Sequence, residues 1–149
     1  MLTIKKILCS TDFSEPSYKG LEYAADLAAL FQADLSVVYV LPLLPHQATD
    51  PNISFSIPEY ERILHKDAEK DLNELVKRHV PEKLKVRAII GHGHAAKEIV
   101  RLAEEENIDL IVISTHGLSG WHHLVVGSVA EKVIRTAPCP VFAVRERRK

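Results

Sequence analysis

Short apolar runs alternate along this chain with segments whose apolar residues recur at helical spacing, and this alternation limits the available folds more than any other feature. The runs are Ile4 to Cys9, Leu35 to Val40, Leu84 to Ile90, Leu110 to Ser114 and Val141 to Val144. Each is too short for a helix of ordinary length, and turn formers or prolines bound most of them. Leu35 to Val40 is largely β-branched, and Leu110 to Ser114 reads as a fully buried strand. Strands apolar on both faces must be covered on both faces, which calls for a parallel sheet with helices on each side and right-handed crossovers. The expected architecture is an α/β domain with a doubly wound five-stranded parallel sheet in the order 3-2-1-4-5.

The intervening segments supply the helices. Ser14 reads as an N-cap and Pro16 is tolerated in a first turn, while Tyr18, Leu21, Ala25, Ala28 and Ala29 mark one face up to Phe31. From Glu59 to His79 a stripe of Tyr60, Ile63, Leu64, Ala68, Leu72, Leu75 and Val76 lies opposite Lys66, Glu69, Lys70, Asp71 and Glu74. Ala95 to Glu106 turns Ile99, Val100 and Ala103 inward. Ser128 to Ala137, stopped before Pro138, turns Val129, Val133 and Ile134 inward. Gly91-His92-Gly93-His94 reads as a turn. Leu41 to Pro58, with Pro42, Pro45, Pro51 and Pro58, reads as a long mobile loop.

A length of 149 residues with 46% hydrophobic content suits a single domain, residues 1–149, around one core. Nineteen basic against 20 acidic residues leave a net charge of -1, so no overall field gathers phosphate backbones or anionic lipid, and nucleic acid is not an expected partner. The apolar runs fall well short of the roughly 20 residues that cross a bilayer. Lys5 and Lys6 stand where a signal peptide would carry its apolar segment, so the expected location is the cytoplasm. Cys9 and Cys139 each fall in a strand-like run and read as buried reduced thiols. The tail Arg145, Arg147, Arg148 and Lys149 reads as a solvated end.

In doubly wound sheets ligands bind beyond the carboxyl ends of the strands, where the winding reverses. In the expected order that point lies between strands one and four, which are followed by the two most unusual loops, Ser10-Thr11-Asp12 and Ser114-Thr115-His116-Gly117. The second continues through Gly120 to Gly127-Ser128 and directly into a helix. Glycines let backbone N–H groups approach a phosphate, a helix N-terminus adds unpaired N–H groups with partial positive charge, and Ser128 adds a hydroxyl. The loop lacks the Gly-Lys-Ser/Thr ending of a Walker loop. The plainer readings are a tight strand-to-helix connection and, for Asp12, a helix cap or Asx-turn.

Thr11-Asp12-Phe13-Ser14 after the first strand, Gly117 separated by nine residues from Gly127-Ser128, and the ending Ala137-Pro138-Cys139-Pro140-Val141 together resemble the universal stress protein family over almost the whole chain. The resemblance implies a five-stranded α/β domain, a homodimer joined through its last strands, here Val141 to Val144, and a Gly-x-x-Gly-x9-Gly-Ser/Thr phosphate motif in ATP-binding members. It also implies that Asp12 holds the ribose side of ATP, or of AMP or ADP, that the Val40 backbone meets adenine, and that Gly117, Gly127 and Ser128 surround the phosphates. Ser114 stands in place of the first motif glycine and Ser10 in place of a proline often found two residues before the aspartate. Magnesium accompanying the nucleotide would use Asp12.

Four further features complete the sequence reading. His116, His122 and His123 crowd the phosphate loop beside Trp121, where protonation would strengthen nucleotide affinity as pH falls towards about 6.5; the plainer reading is solvated histidines. His92 and His94 would share a face on extended backbone and make a transition-metal site conceivable, although a surface turn is the plainer reading. The Pro-rich loop with Phe55 and Tyr60 reads either as a lid over adenine or as a flexible connection. Three function classes follow: a nucleotide-binding sensor or regulator, a slow ATPase, and an interaction module of the same fold without ATP. No general base is paired with a nucleophile in the sequence, which favours the first.

Overall fold

Burial alternates along the first strand: Ile7 and Cys9 pack to one side and Leu8 to the other, all three at most 1% exposed. A strand buried on both faces lies inside a layered sheet, and the computed structural model, which describes residues 1–44, 57–116 and 126–146, shows that layering. Its elements are β1 (Lys6–Ser10), α1 (Glu15–Phe31), β2 (Asp34–Leu41), α2 (Ile57–His79), β3 (Val86–His92), α3 (Ala95–Glu105), β4 (Leu110–Ser114), α4 (Ser128–Thr136) and β5 (Val141–Val144). The five strands form one sheet in the order β3-β2-β1-β4-β5, every neighbouring pair parallel. Architecture and strand order are those expected from the sequence.

One layer of core lies under α1 and α2, where Leu21, Ala25, Ala28, Leu72 and Leu75 meet Ile7, Cys9, Val37 and Val112. The other lies under α3 and α4, where Ile99, Ala103, Ala130 and Val133 meet Leu8, Val38, Ile111 and Ile113. Cys9 is paired with Val37 on one side and Val112 on the other, so β1 is the strand from which the chain winds outwards in both directions. β5 is an edge strand, as expected, and Phe142 on it is 40% exposed with its ring 6.0 Å from that of Tyr23.

Several local readings are corrected. On α4, Ala130 and Val133 face the core, whereas Val129 and Ile134, expected inside, are 38% and 47% exposed. The helix is so short that a small rotation of its buried stripe exchanges which apolar residues face in. In α2 the stripe is buried only from Ala68 onward; Tyr60 and Ile63 are exposed. β3 continues through Gly91 and His92, which pair with Val40 and Leu41, so half of the expected turn is strand. Cys9 is fully buried, but Cys139 lies just before β5 and is partly exposed; both thiols are free.

Candidate functional site

β2 outruns its neighbour at the carboxyl end of the sheet. The β1–β2 ladder ends at Ser10 and Val38, after which the Thr11 N–H donates to the Val38 carbonyl at 3.0 Å. Backbone groups of successive strand residues point to opposite sides, so the N–H and C=O of Val40 point the same way as those of Val38, past the end of β1. The Leu41 carbonyl, one residue on, turns the other way and accepts from Gly93 N–H at 2.8 Å. The overhang leaves a backbone donor and acceptor of Val40 on the wall of a cleft of about 300 Å³.

That cleft gathers the residues singled out in the sequence. Ser10, Thr11 and Asp12 come to it from β1, Val40 from β2, Ser114 and His116 from β4, and Gly127 and Ser128 from the start of α4. Gly117, the remaining member of the predicted set, lies outside the described residues, as do Phe55, Trp121, His122, His123, Arg147, Arg148 and Lys149. The sequence reading missed Ala95 and Ile99 of α3, which line the wall beside Val40, and Ser17. Nothing in the spacing of α3 reveals which helix flanks the overhang of β2; that follows from the crossover.

A hydroxyl chain fixes the β1 loop. Ser17 Oγ donates its single proton to the Ser14 carbonyl at 2.7 Å, so the 2.8 Å contact between Ser17 and Thr11 is donated by Thr11. Thr11 Oγ1 in turn accepts from the Phe13 N–H at 3.1 Å. Asp12 Oδ1 accepts from the Ser14 N–H at 3.0 Å and from the Ser14 hydroxyl, the Asx arrangement anticipated for it. Ser14 caps α1, as the sequence predicts. Phe13 adopts φ 62°, its carbonyl taken by Tyr18 Oη at 2.6 Å and its ring 4.5 Å from Tyr39. Asp12 is thereby held in the cleft lining by the turn that caps α1.

The opposite wall is the N-terminus of α4. Gly127 N–H donates to the Thr115 carbonyl at 2.6 Å, and a Cβ on Gly127 would lie 3.1 Å from that oxygen. Since φ at Gly127 is -56°, glycine is required by this close approach and not by backbone conformation. The first intrahelical acceptor used is Gly127 O, bound by Glu131, so the N–H groups of Ser128, Val129 and Ala130 precede the helical ladder and face the cleft end of the helix. Such an end favours an anion. Ser114 Oγ donates to the His116 carbonyl at 3.0 Å, and Thr115 Oγ1 lies 3.0 Å from His116 Nδ1, fixing the loop as it leaves β4.

Among the described lining residues Asp12 is the one acid and His116 the one imidazole. Cys9 sits directly beneath Ser10, but burial pushes its thiol up to about 12, which keeps it protonated and unreactive at neutral pH. The cleft is therefore lined by a polar backbone edge with apolar flanks from β2 and α3, a carboxylate from the loop after β1, and the N-terminal turn of α4. No group of three or more metal-ligating side chains occurs among the described residues, and no helix among them is long and apolar enough to cross a membrane.

Comparison with known proteins identifies the family and the fold. A family model described as the Universal stress protein family matches residues 3–145. The chain is 32% identical over 145 residues to Universal stress protein MJ0531 of Methanocaldococcus jannaschii, covering 97% of this chain and 84% of that protein. The solved structure of MJ0577 from the same organism has a TM-score of 0.81 at 27% identity, with 99% of each chain covered. Two more distant structures share the fold. One is a universal stress protein in complex with cAMP, 20% identical, TM-score 0.66, covering 95% of this chain and 97% of that one. The other, from Archaeoglobus fulgidus in complex with dAMP, is 22% identical, TM-score 0.59, covering 96% and 98%. With a match running from β1 to β5 and a relative of this identity over nearly its whole length, the chain belongs to the universal stress protein family.

Proposed function

We propose that the cleft binds an adenine nucleotide, ATP or its mono- or diphosphate, and that occupancy is the signal of a cytoplasmic, homodimeric stress regulator. The observation that carries this reading is the convergence of three complementary features in one cleft: the Val40 backbone edge, Asp12, and the N-terminus of α4. An adenine edge offers a donor beside an acceptor, which matches a backbone C=O and N–H, while Ala95 and Ile99 give its faces apolar cover. Asp12 accepts from ribose hydroxyls. Ser128 and the N–H groups of the first α4 turn receive phosphate oxygens. That cAMP and dAMP are held by proteins of this fold supports the ligand class.

Magnesium would enter with the nucleotide. Asp12 is a hard oxygen donor lining the cleft, and an ion bound by one carboxylate plus phosphates and waters suits magnesium. The ion's contribution would be to offset phosphate charge. Binding rather than turnover is the proposed output, because Asp12, the one acid in the described lining, is engaged in the turn that caps α1.

One observation favours a second reading, an interaction module of the same fold without ATP: Ser114 replaces the first motif glycine, and its hydroxyl occupies the His116 carbonyl. Denaturing purified protein and analysing the supernatant for released nucleotide, followed by calorimetric titration of the stripped protein with ATP, separates the two. Co-purified nucleotide or saturable binding is expected. Neither at millimolar ATP would leave the interaction module standing, and ADP accumulating at a typical enzyme rate would replace the sensor with an ATPase.

A further inference from the structure

Two imidazoles meet on the α2 side of the sheet. His92 ends β3, its backbone paired with Leu41, and the following Gly93 N–H is bound by the Leu41 carbonyl. His65 projects from α2 less than one turn before Ala68, which is 6% exposed and packed in the core. Both side chains therefore start from backbones that cannot drift. His65 Nδ1 lies 3.1 Å from His92 Nε2, with the ring planes inclined by 12° and the centroids 5.2 Å apart. The 2.1 Å difference between those distances is the room two imidazole rings take from centre to nitrogen, so the rings meet edge to edge, nitrogen facing nitrogen.

The geometry points to a two-imidazole site at His65 and His92 for a divalent transition metal ion, which clips α2 to the end of β3. Bonds of about 2.05 Å to two nitrogens 3.1 Å apart subtend about 98° at the metal, between square-planar and tetrahedral angles, and each ring must turn by about 40° from the facing arrangement to aim its lone pair at the ion. Imidazole nitrogen selects zinc, copper or nickel over magnesium or calcium. His92 is exposed and His65 half-buried, so the rings can tilt to converge and water can complete the shell. Glu98 lies close enough to His92 for their charges to interact, adding negative potential, though its oxygens are already bound by Arg101 at 2.6 and 2.8 Å.

In the hydrogen-bonded pair one ring donates and the other accepts. For both facing nitrogens to ligate, the donor ring moves its proton to its outer nitrogen, so a neutral pair binds metal without net proton release, and a protonated pair releases one proton. His94, the partner suggested by spacing, is not the second ligand. Gly93 at φ 110° breaks the extended backbone that would have put residues 92 and 94 on one face.

The test uses untagged full-length protein. Titration with copper(II) followed by electron paramagnetic resonance is expected to show one equivalent carrying couplings from two imidazole nitrogens. His65→Gln and His92→Gln should each weaken binding about tenfold or more and leave one such nitrogen, while His94→Gln changes neither. Zinc should raise the thermal midpoint of the wild type and of His94→Gln only. As a readout independent of any variant, zinc should shift the ring proton resonances of His65 and His92 ahead of the other histidines. Two-nitrogen binding that survives either substitution, zinc-induced shifts at other histidines first, or absence of binding overturns the site.

Discussion

Replacing Thr11 with valine keeps the shape of the side chain and removes one oxygen from the loop that presents Asp12. Thr11 is 6% exposed, and its hydroxyl both donates to Ser17 Oγ at 2.8 Å and accepts from the Phe13 N–H at 3.1 Å. The variant loses the first bond, worth about 1 kcal/mol net, and strands the partly buried Phe13 N–H, costing about 1 kcal/mol more. The lost bond falls on Phe13, whose φ of 62° is already unfavourable for a side chain with a Cβ. Thr11→Val should therefore destabilise by about 2 kcal/mol, a fall of roughly 1 M in urea midpoint for a slope of about 2 kcal/mol/M. Ser17→Ala should cost about 1 kcal/mol, since the Ser14 carbonyl keeps its bond from the Tyr18 N–H at 3.1 Å. The two residues share one bond, so the double variant should lose about 1 kcal/mol less than the sum of the singles. Urea unfolding of all four proteins at one concentration measures this. Additivity within about 0.5 kcal/mol would refute the hydrogen bond between Thr11 and Ser17.

Three other outcomes are expected. Gly127→Ala places a Cβ 3.1 Å from the Thr115 carbonyl and shifts the start of α4, so ATP affinity by calorimetry should fall about tenfold with the circular dichroism spectrum unchanged; undiminished affinity would remove α4 from the phosphate site. The Arg101 guanidinium holds the Glu98 carboxyl below its ordinary range, so this pair stabilises the fold above the unfolded carboxylate pKa and ceases to do so as pH falls through the lower folded value. Arg101→Met should flatten the acid side of the thermal midpoint profile as pH falls through and below the ordinary glutamate pKa of about 4.3, and an unchanged profile would show that the pair contributes nothing. Cys9, fully buried with its thiol raised to about 12, should resist a thiol-specific disulfide reagent at about pH 8 in native protein and react on unfolding; native labelling of Cys9 at the rate of Cys139 would contradict its burial.

The period and length of the apolar runs are local properties, and they determined the number of strands, the intervening helices and the choice of a parallel sheet. Cap and breaker chemistry did the same for the Ser14 cap and the stop of α4 before Pro138. The loops after β1 and β4 were legible as a site because glycine, serine and aspartate in those positions have few structural reasons to occur together. What the sequence left open depends on distances between residues far apart in the chain. Only the packed sheet decided that β2 overhangs β1 and turns the Val40 backbone into the cleft, and that Ala95 and Ile99 of α3 face it. Tertiary packing also turned Ala130 inward in place of Val129 and Ile134, because a nine-residue helix with apolar residues around much of its circumference does not state its own orientation. The meeting of His65 with His92 across 27 residues belongs to the same class: neither ring carries a local signal, and the contact exists because α2 crosses the end of β3.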